Sequence, residues 1–312
     1  DKGLFFITRS ASYGVTSSYI NTLMKIPELL IDDCSFIWKR DKEKNEIHVD
    51  RSLNVWGSGG SHKIYFKKID KIIEDTFNQK IENQPKGVID IGCGDGTFLE
   101  HINHIITTKT IRNDYLDTHP LFMIGTDINK AARISSRHKL NQSKVNNIII
   151  NGNISEPITI NNILKKEYNV ALSDFLNTRS FLDHNRIFEQ PKNIKYNDIY
   201  TSGTFCYKGK IIQKNTLINN LIEHLRKWQP FINKHGLILL ELHTINPEVT
   251  KEKIGKTLSL AYDATHGYSD QYLVEHKVFM ECCKRANLEI DEDLLELFPN
   301  NDYPTVSINY IK

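Results

Sequence analysis

Short apolar runs alternate with helix-period segments over the last two thirds of the chain. GVIDIG (87–92), MIGTDI (123–128), NNIIINGNI (146–154), NVALSDF (169–175) and GLILLELH (236–243) read as buried strands, and TVSINYI (305–311) closes the chain. Strands this apolar, separated by helical segments, predict an α/β fold: a parallel sheet with helices on both faces. A long helix, NTLINNLIEHLRKWQPFI, precedes the fifth strand. Another is expected after Ser269, a residue suited to an N-cap. Residues 1–84 lack this alternation. There LMKIPELLIDD and IYFKKIDKIIEDTF carry helical periodicity, with the polar KRDKEKNE and then NVWGSGGSH between them. The glycines of that second piece predict a loop that comes close to a ligand. Pro85 marks the boundary between a mainly helical segment (1–84) and the core (85–312). The irregular stretch 176–214 reads as an insertion or a functional loop.

Composition narrows the class. Of 312 residues, 40 are Lys or Arg and 38 are Asp or Glu, a net charge of +2. That balance argues against a nucleic-acid partner. No apolar run approaches the roughly 20 residues of a membrane span, and no signal peptide is visible. The five cysteines form no CxxC pair. A reduced, cytoplasmic protein without a disulfide frame or a Cys-rich zinc site is expected. The chain begins at Asp1 without Met, as a domain cut from a longer polypeptide would.

VIDIGCGDGTFLEH places Gly92, Gly94 and Gly96 after the first strand and before a helix. Glycines there let backbone approach a ligand at the carboxyl end of the sheet. A dinucleotide fingerprint would read GxGxxG. Here the spacing is GxGxG, with Asp90 two residues ahead and the next strand-end acid at Asp127. A carboxylate in that second place can accept both hydroxyls of a ribose. The pattern is similar to that of class I S-adenosylmethionine (SAM) methyltransferases, with their Rossmann-like sheet. It would set Asp90 near the methionine amine, Asp127 at the ribose, and Asn153 and Ile154 around the adenine. Ile128, Asp174 and Phe175 at strand ends, and Trp56, Gly57, Ser58 and Gly59 in the N-terminal glycine stretch, complete the expected cofactor shell. Adenine and glutamine N-methyltransferases carry an NPPY-type motif after the fourth strand. SDFLNT stands here, which argues against that class.

The methyl acceptor must be read from irregular segments. NTRSFLDHNR follows the fourth strand, and an Arg there, Arg179 before Arg186, would hold a carboxylate. ELHTINPE ends the fifth strand with His243, and THGYSDQY follows with His266 and Gln271. Five residues at ~100° each put His266 and Gln271 ~140° apart on a helix, so they cannot share a helix face. With His266 in the loop, His243, His266 and Gln271 can converge on one cation. Two imidazoles and an amide oxygen suit Fe, Mn or Zn. A facial triad of the oxygenase kind would instead need Asp263 or Asp270, and would leave the glycine loop unused.

Together NVWGSGGSHKIYFKKID, QPKGVIDIGCGDGTFLEHI, LSDFLNTRSFLDHNR, LILLELHTINP and THGYSDQYLVEH resemble the metal-dependent C-methyltransferases of polyketide synthase loading modules, of the apratoxin synthase type. The resemblance spans nearly the whole chain. It implies a SAM-binding core under an N-terminal helical lid and a mononuclear iron or manganese ion held by His243, His266 and Gln271. It also implies methylation at the α-carbon of a malonyl or methylmalonyl thioester carried on an acyl carrier protein, among neighbouring synthase domains. His184, Asp183, Tyr268 and a metal-bound hydroxide are the candidate proton acceptors, with Arg179 as an acceptor-binding residue. A metal-independent O- or N-methyltransferase acting on a small molecule, with histidines as general bases, is the alternative.

Overall fold

The alternation from residue 85 onward becomes one seven-stranded sheet in the computed structural model, which describes residues 2–7, 10–42, 46–254 and 270–312. The strands are β1 (Gly87–Ile91), β2 (Phe122–Asp127), β3 (Asn147–Asn151), β4 (Leu176–Ser180), β5 (Phe205–Tyr207), β6 (Lys210–Ile212), β7 (Leu237–Leu242), β8 (Glu296–Phe298) and β9 (Val306–Ile311). Their order in the sheet is β3-β2-β1-β4-β7-β9-β8, and β5 and β6 form a separate hairpin. β3, β2, β1, β4 and β7 run parallel, while β9 is antiparallel to β7 and β8. The winding direction reverses between β1 and β4, the place where such sheets bind ligands at their carboxyl ends.

The N-terminal segment holds α1 (Lys2–Ile7), α2 (Ser10–Ser17), α3 (Ile20–Leu23), α4 (Ile26–Ile31), α5 (Arg51–Phe66) and α6 (Asp70–Phe77). The core adds α7 (Thr97–Lys109), α8 (Lys130–Gln142), α9 (Pro157–Tyr168), α10 (Lys214–Ile232), α11 (Pro247–Glu252) and α12 (His276–Arg285). Strand side chains alternate between two apolar layers. Ile89 and Leu239 face Leu221, Leu225 and Trp228 of α10 and Phe279 of α12. Val88 and Ile238 face Leu99 and Ile102 of α7. That second layer also contains Phe66, Ile73 and Phe77, so packing is continuous across Pro85.

Three local expectations change. The glycine stretch at 55–62 is not a loop but the middle of α5. Asp50 caps that helix by accepting from the Leu53 N–H at 3.0 Å. Its Gly57 serves helix contact: a Cβ on Gly14 of α2 would sit 3.0 Å from the Gly57 Cα. The fourth strand is LNTRS rather than NVALSDF. Leu172–Asp174 is a 3₁₀ turn, entered through Asn169 in the left-handed region, and the irregular stretch begins only after β4. The last helix starts at His276 with Glu275 at its N-cap, and residues 271–275 before it form no regular element. Ser269 lies outside the described residues.

Candidate active site

β1 runs directly into the glycine loop. Gly92, Gly94 and Gly96 take φ of 79°, 53° and 82°, values that side chains resist. The N–H groups of Gly92 and Cys93 donate to the Thr126 carbonyl at 2.7 and 2.9 Å, tying the loop to β2. Asp127 accepts from the Gly94 N–H at 3.2 Å and the Asn129 N–H at 2.8 Å, and Ile128 beside it is exposed. Burial raises the Asp127 pKa, and Arg51 of α5 is among the charges pulling it back. Asn153 accepts from the Ser155 N–H at 2.9 Å. The Ile154 side chain joins the core while its carbonyl accepts from Trp228 Nε1 at 2.9 Å.

Asp90 is buried at the end of β1. Its Oδ1 accepts from the Thr178 hydroxyl at 3.0 Å, and its Oδ2 has no hydrogen-bond partner among the described residues. Burial pushes its pKa up to about 7. A sealed carboxylate with one unsatisfied oxygen fits an ammonium group such as that of SAM's methionine end. Helix α5 lies over this floor: a Cβ on Gly94 would meet Val55 at 3.8 Å. Trp56 of that helix is exposed, and Ser58 and Gly59 are within it. Asp174 and Phe175 stand elsewhere. Asp174 pairs with Lys86 Nζ at 2.9 Å, and its carbonyl accepts from the Lys86 N–H at 2.9 Å, just ahead of β1. They therefore precede β4 at the opposite end of the sheet and leave the cofactor shell. The misplaced strand caused that error.

Beyond the glycine loop, the ends of β4 and β7 enclose a polar network. Arg179 is fully buried, 3.3 Å from Asp183 and stacked 4.6 Å over the Trp228 ring. Its three guanidinium nitrogens have no hydrogen-bond partner among the described residues. Asp183 also meets His224 Nε2 at 3.0 Å, and its carbonyl accepts from Arg186 Nη1 at 2.9 Å. Burial would raise the Asp183 pKa, but Arg179 and His224 hold it below the ordinary carboxylate value. Burial takes His224 down to about 4. His184 Nδ1 lies 2.5 Å from Glu241 Oε1, and the His184 N–H donates to Glu241 Oε2 at 3.0 Å. A cavity of about 10 Å³, room for roughly one water, is bounded by His184, Glu241, Arg186 and Tyr272. His62 of α5 packs 3.9 Å from the Phe181 ring, and its pKa is lowered by burial and then by nearby His184. His184 thus lies between the helix over the glycine loop and the end of β7. Glu241, Thr178 and His224 were not expected from sequence. Glu241 left a trace, as the one charged residue within GLILLELH.

A family model described as the AprA MT2-like domain matches residues 46–309. The chain belongs to this methyltransferase family. It is accordingly a SAM-dependent methyltransferase. Among curated protein sequences none matches it significantly. Among solved structures, an O-methyltransferase family protein from Burkholderia thailandensis is similar, with TM-score 0.51 and 12% identity over 96% of this chain and 70% of that one. It shows the shared fold. The plantazolicin methyltransferase BamL, solved with SAH, gives TM-score 0.46 and 12% identity over 98% and 97% of the two chains. The mitomycin 7-O-methyltransferase MmcR gives 0.46 and 11%, and this chain spans 57% of its length.

The AprA MT2-like chain shows two of its three expected metal donors, because His266, like Tyr268, lies outside the described residues. His243 is buried, and burial followed by nearby His276 takes its pKa well below the ordinary value, so it is a neutral imidazole. Its Nδ1 faces the Val274 carbonyl at 3.3 Å and its Nε2 faces the Ser307 hydroxyl at 2.7 Å. With the proton on Nδ1 facing the carbonyl, Nε2 accepts from the Ser307 hydroxyl, so both ring nitrogens are engaged within the fold. Gln271 Oε1 is buried with no hydrogen-bond partner among the described residues. No cluster of three or more His, Cys, Asp or Glu able to hold a metal occurs among the described residues. None of the described helices is long and apolar enough to cross a membrane.

Proposed function

We propose that this domain methylates the α-carbon of a malonyl or methylmalonyl thioester presented on an acyl carrier protein, with a mononuclear Fe or Mn ion assisting. The observation that carries the reading is the buried His184–Glu241 pair, on the same rim of the sheet as the glycine loop. A carbon acid is inert to methylation until it loses a proton, so the site needs a held base. Glu241 fixes the orientation and tautomer of His184, which takes the α-proton. Asp90 holds the methionine amine and Asp127 the ribose hydroxyls, which sets the reacting methyl in line with the α-carbon. Helix α5 covers this position and keeps water out. His243, His266 and Gln271 would hold the ion. When bound, SAM supplies an electrophilic methyl group, and the ion polarises the thioester carbonyl and so acidifies the adjacent C–H. Only neutral donors would then surround the ion, which leaves it strongly electrophilic.

Intact-protein mass spectrometry of malonyl-carrier protein incubated with enzyme, SAM and Fe²⁺ or Mn²⁺ tests the reading. The expected result is one or more added methyl groups, abolished by EDTA. A carrier protein of unchanged mass under all metal conditions would sink it. The same His184–Glu241 pair would serve a metal-independent O- or N-methyltransferase by deprotonating a hydroxyl or amine. Transfer to a small acceptor that is insensitive to EDTA would establish that second reading.

A further inference from the structure

The chain from Ile20 to Ile31 turns an apolar face to solvent. α3 and α4 run nearly as one helix: the Met24 N–H donates to the Ile20 carbonyl at 2.8 Å and the Leu29 N–H to the Lys25 carbonyl at 2.9 Å. A surface helix ordinarily points its apolar residues at the core. Here the order is reversed. Thr22 is buried, and its hydroxyl donates to the His48 carbonyl at 2.7 Å. Ile20, Leu23, Met24, Ile26, Leu30 and Ile31 stand outward, from 41% to 88% exposed. Together they offer on the order of 700 Å², more than the roughly 300–600 Å² of the largest apolar patch on a typical monomer. A standard specific interface takes about 800 Å² from each partner.

The pattern is self-complementary. Leu23, Met24, Pro27, Leu30 and Ile31 are spaced 1, 3, 3 and 1 residues apart, the same read from either end, and all five are exposed. Residues at such spacings share a helix face. A two-fold axis at Pro27 therefore lays Leu23 of each copy against Ile31 of the other, and Met24 against Leu30. An isologous contact requires this kind of match. Charge agrees with it. Lys25 and Glu28 pair with each other at 3.7 Å. Antiparallel pairing sets the acidic end, Asp32 and Asp33, beside residues 20–22 of the other copy, which carry no acid. An acidic carrier protein would instead meet Glu28, Asp32 and Asp33, like charge on like.

We propose that α3 and α4 form a self-association surface that joins two copies of this chain, antiparallel about Pro27. The surface is tied to the helix over the glycine loop. The Asp50 N–H donates to the Ser18 carbonyl at 2.8 Å, and the Asn54 side chain of α5 donates to the Ser18 hydroxyl at 3.0 Å. Pairing thus braces the N-terminal segments of both copies against α5. It depends on neither the metal nor the methyl acceptor.

Sedimentation velocity of the whole chain over a concentration series tests this, with SAM affinity and thermal midpoint measured alongside. The expected result is a reversible monomer–dimer equilibrium in the micromolar range. Met24→Glu and Leu30→Glu should each weaken it at least about tenfold, because each buries a carboxylate in the contact. Met24→Lys combined with Leu30→Glu should restore much of it. The two positions oppose each other across the axis but lie too far apart along one helix to pair within a copy. SAM affinity and thermal midpoint should stay at wild type throughout, since both side chains are exposed. A wild type that stays monomeric across the series overturns the proposal. So does a dimer indifferent to Met24→Glu and Leu30→Glu, which would place the contact elsewhere. A double variant no better than Leu30→Glu alone overturns the antiparallel register. A monomer whose Met24→Glu variant loses binding to malonyl-carrier protein would give the surface to the carrier instead.

Discussion

Glu241 holds His184 twice, accepting from the imidazole Nδ1 at 2.5 Å and from the backbone N–H at 3.0 Å. A carboxylate can only accept, so the ring proton sits on Nδ1 and the ring is fixed in plane and in tautomer. His184→Ala should lower the single-turnover methyl-transfer rate about 10²- to 10⁴-fold, the range for a lost general base. Glu241→Gln should lower it less, about tenfold or more, because the backbone contact still orients the loop. SAM affinity should hardly move in either variant. Equal rates for His184→Ala and wild type would remove His184 from the chemistry.

Asp90 makes the ligand-free protein sensitive to pH. Its folded-state pKa, about 7, lies above its ordinary value of 3.8 because the carboxyl is buried. Between those two values the folded chain binds the proton and the unfolded chain does not. Its contribution is therefore fully present below pH 3.8 and is lost as pH rises toward 7. About three pKa units correspond to roughly 4 kcal/mol at most. Buried His224, lowered to about 4, slopes the opposite way between pH 4 and 6.5. The difference between wild type and Asp90→Asn isolates the carboxyl: urea unfolding should show a gap that changes by a few kcal/mol across pH 4 to 7. A pH-independent gap would mean that Asp90 is ionised in the ligand-free fold.

Much of the fold was legible because five of the strands are apolar enough to stand out, and because the GxGxG spacing sits on a strand–helix junction. β4 was not, for a physical reason. Its Asn177, Thr178 and Arg179 are polar yet fully buried, and each has a specific use inside. Asn177 donates to the Phe175 carbonyl at 3.0 Å, Thr178 to Asp90, and Arg179 stacks on Trp228. The apolar NVALSDF drew the assignment one element too early and took Asp174 and Phe175 with it. The glycines of α5 misled in the same way, since Gly57 serves helix–helix contact rather than a loop. His184 was visible in NTRSFLDHNR, the polar segment that follows the fourth strand. Its partner Glu241 lies 57 residues on, and only the parallel pairing of β4 with β7 brings the two together.

Asp183 neutralises a buried cation that nothing else nearby fully balances. It sits 3.3 Å from Arg179 and 3.0 Å from His224, all three sealed from solvent. Removing one member of a buried ion pair leaves the other charge uncompensated, at a cost of about 3–5 kcal/mol. Asp183→Asn preserves shape and should still destabilise by that amount in urea unfolding, whether or not metal is present. A loss under about 1 kcal/mol would mean that Glu241 alone compensates Arg179.

The metal itself gives the sharpest division between readings. Burial holds His243 well below its ordinary pKa, and Gln271 Oε1 has no hydrogen-bond partner among the described residues, so neither would have to lose a proton to take an ion. Protein purified without a metal-affinity tag should carry near-stoichiometric Fe or Mn by elemental mass spectrometry, and His243→Ala and His266→Ala should lose it. EDTA should abolish methyl transfer to malonyl-carrier protein, and added Fe²⁺ or Mn²⁺ should restore it. Wild-type protein that stays metal-free after anaerobic loading, with transfer indifferent to EDTA, would leave His184 and Glu241 as the base of a metal-independent enzyme. The acceptor would then be sought among hydroxyls and amines rather than carbon acids.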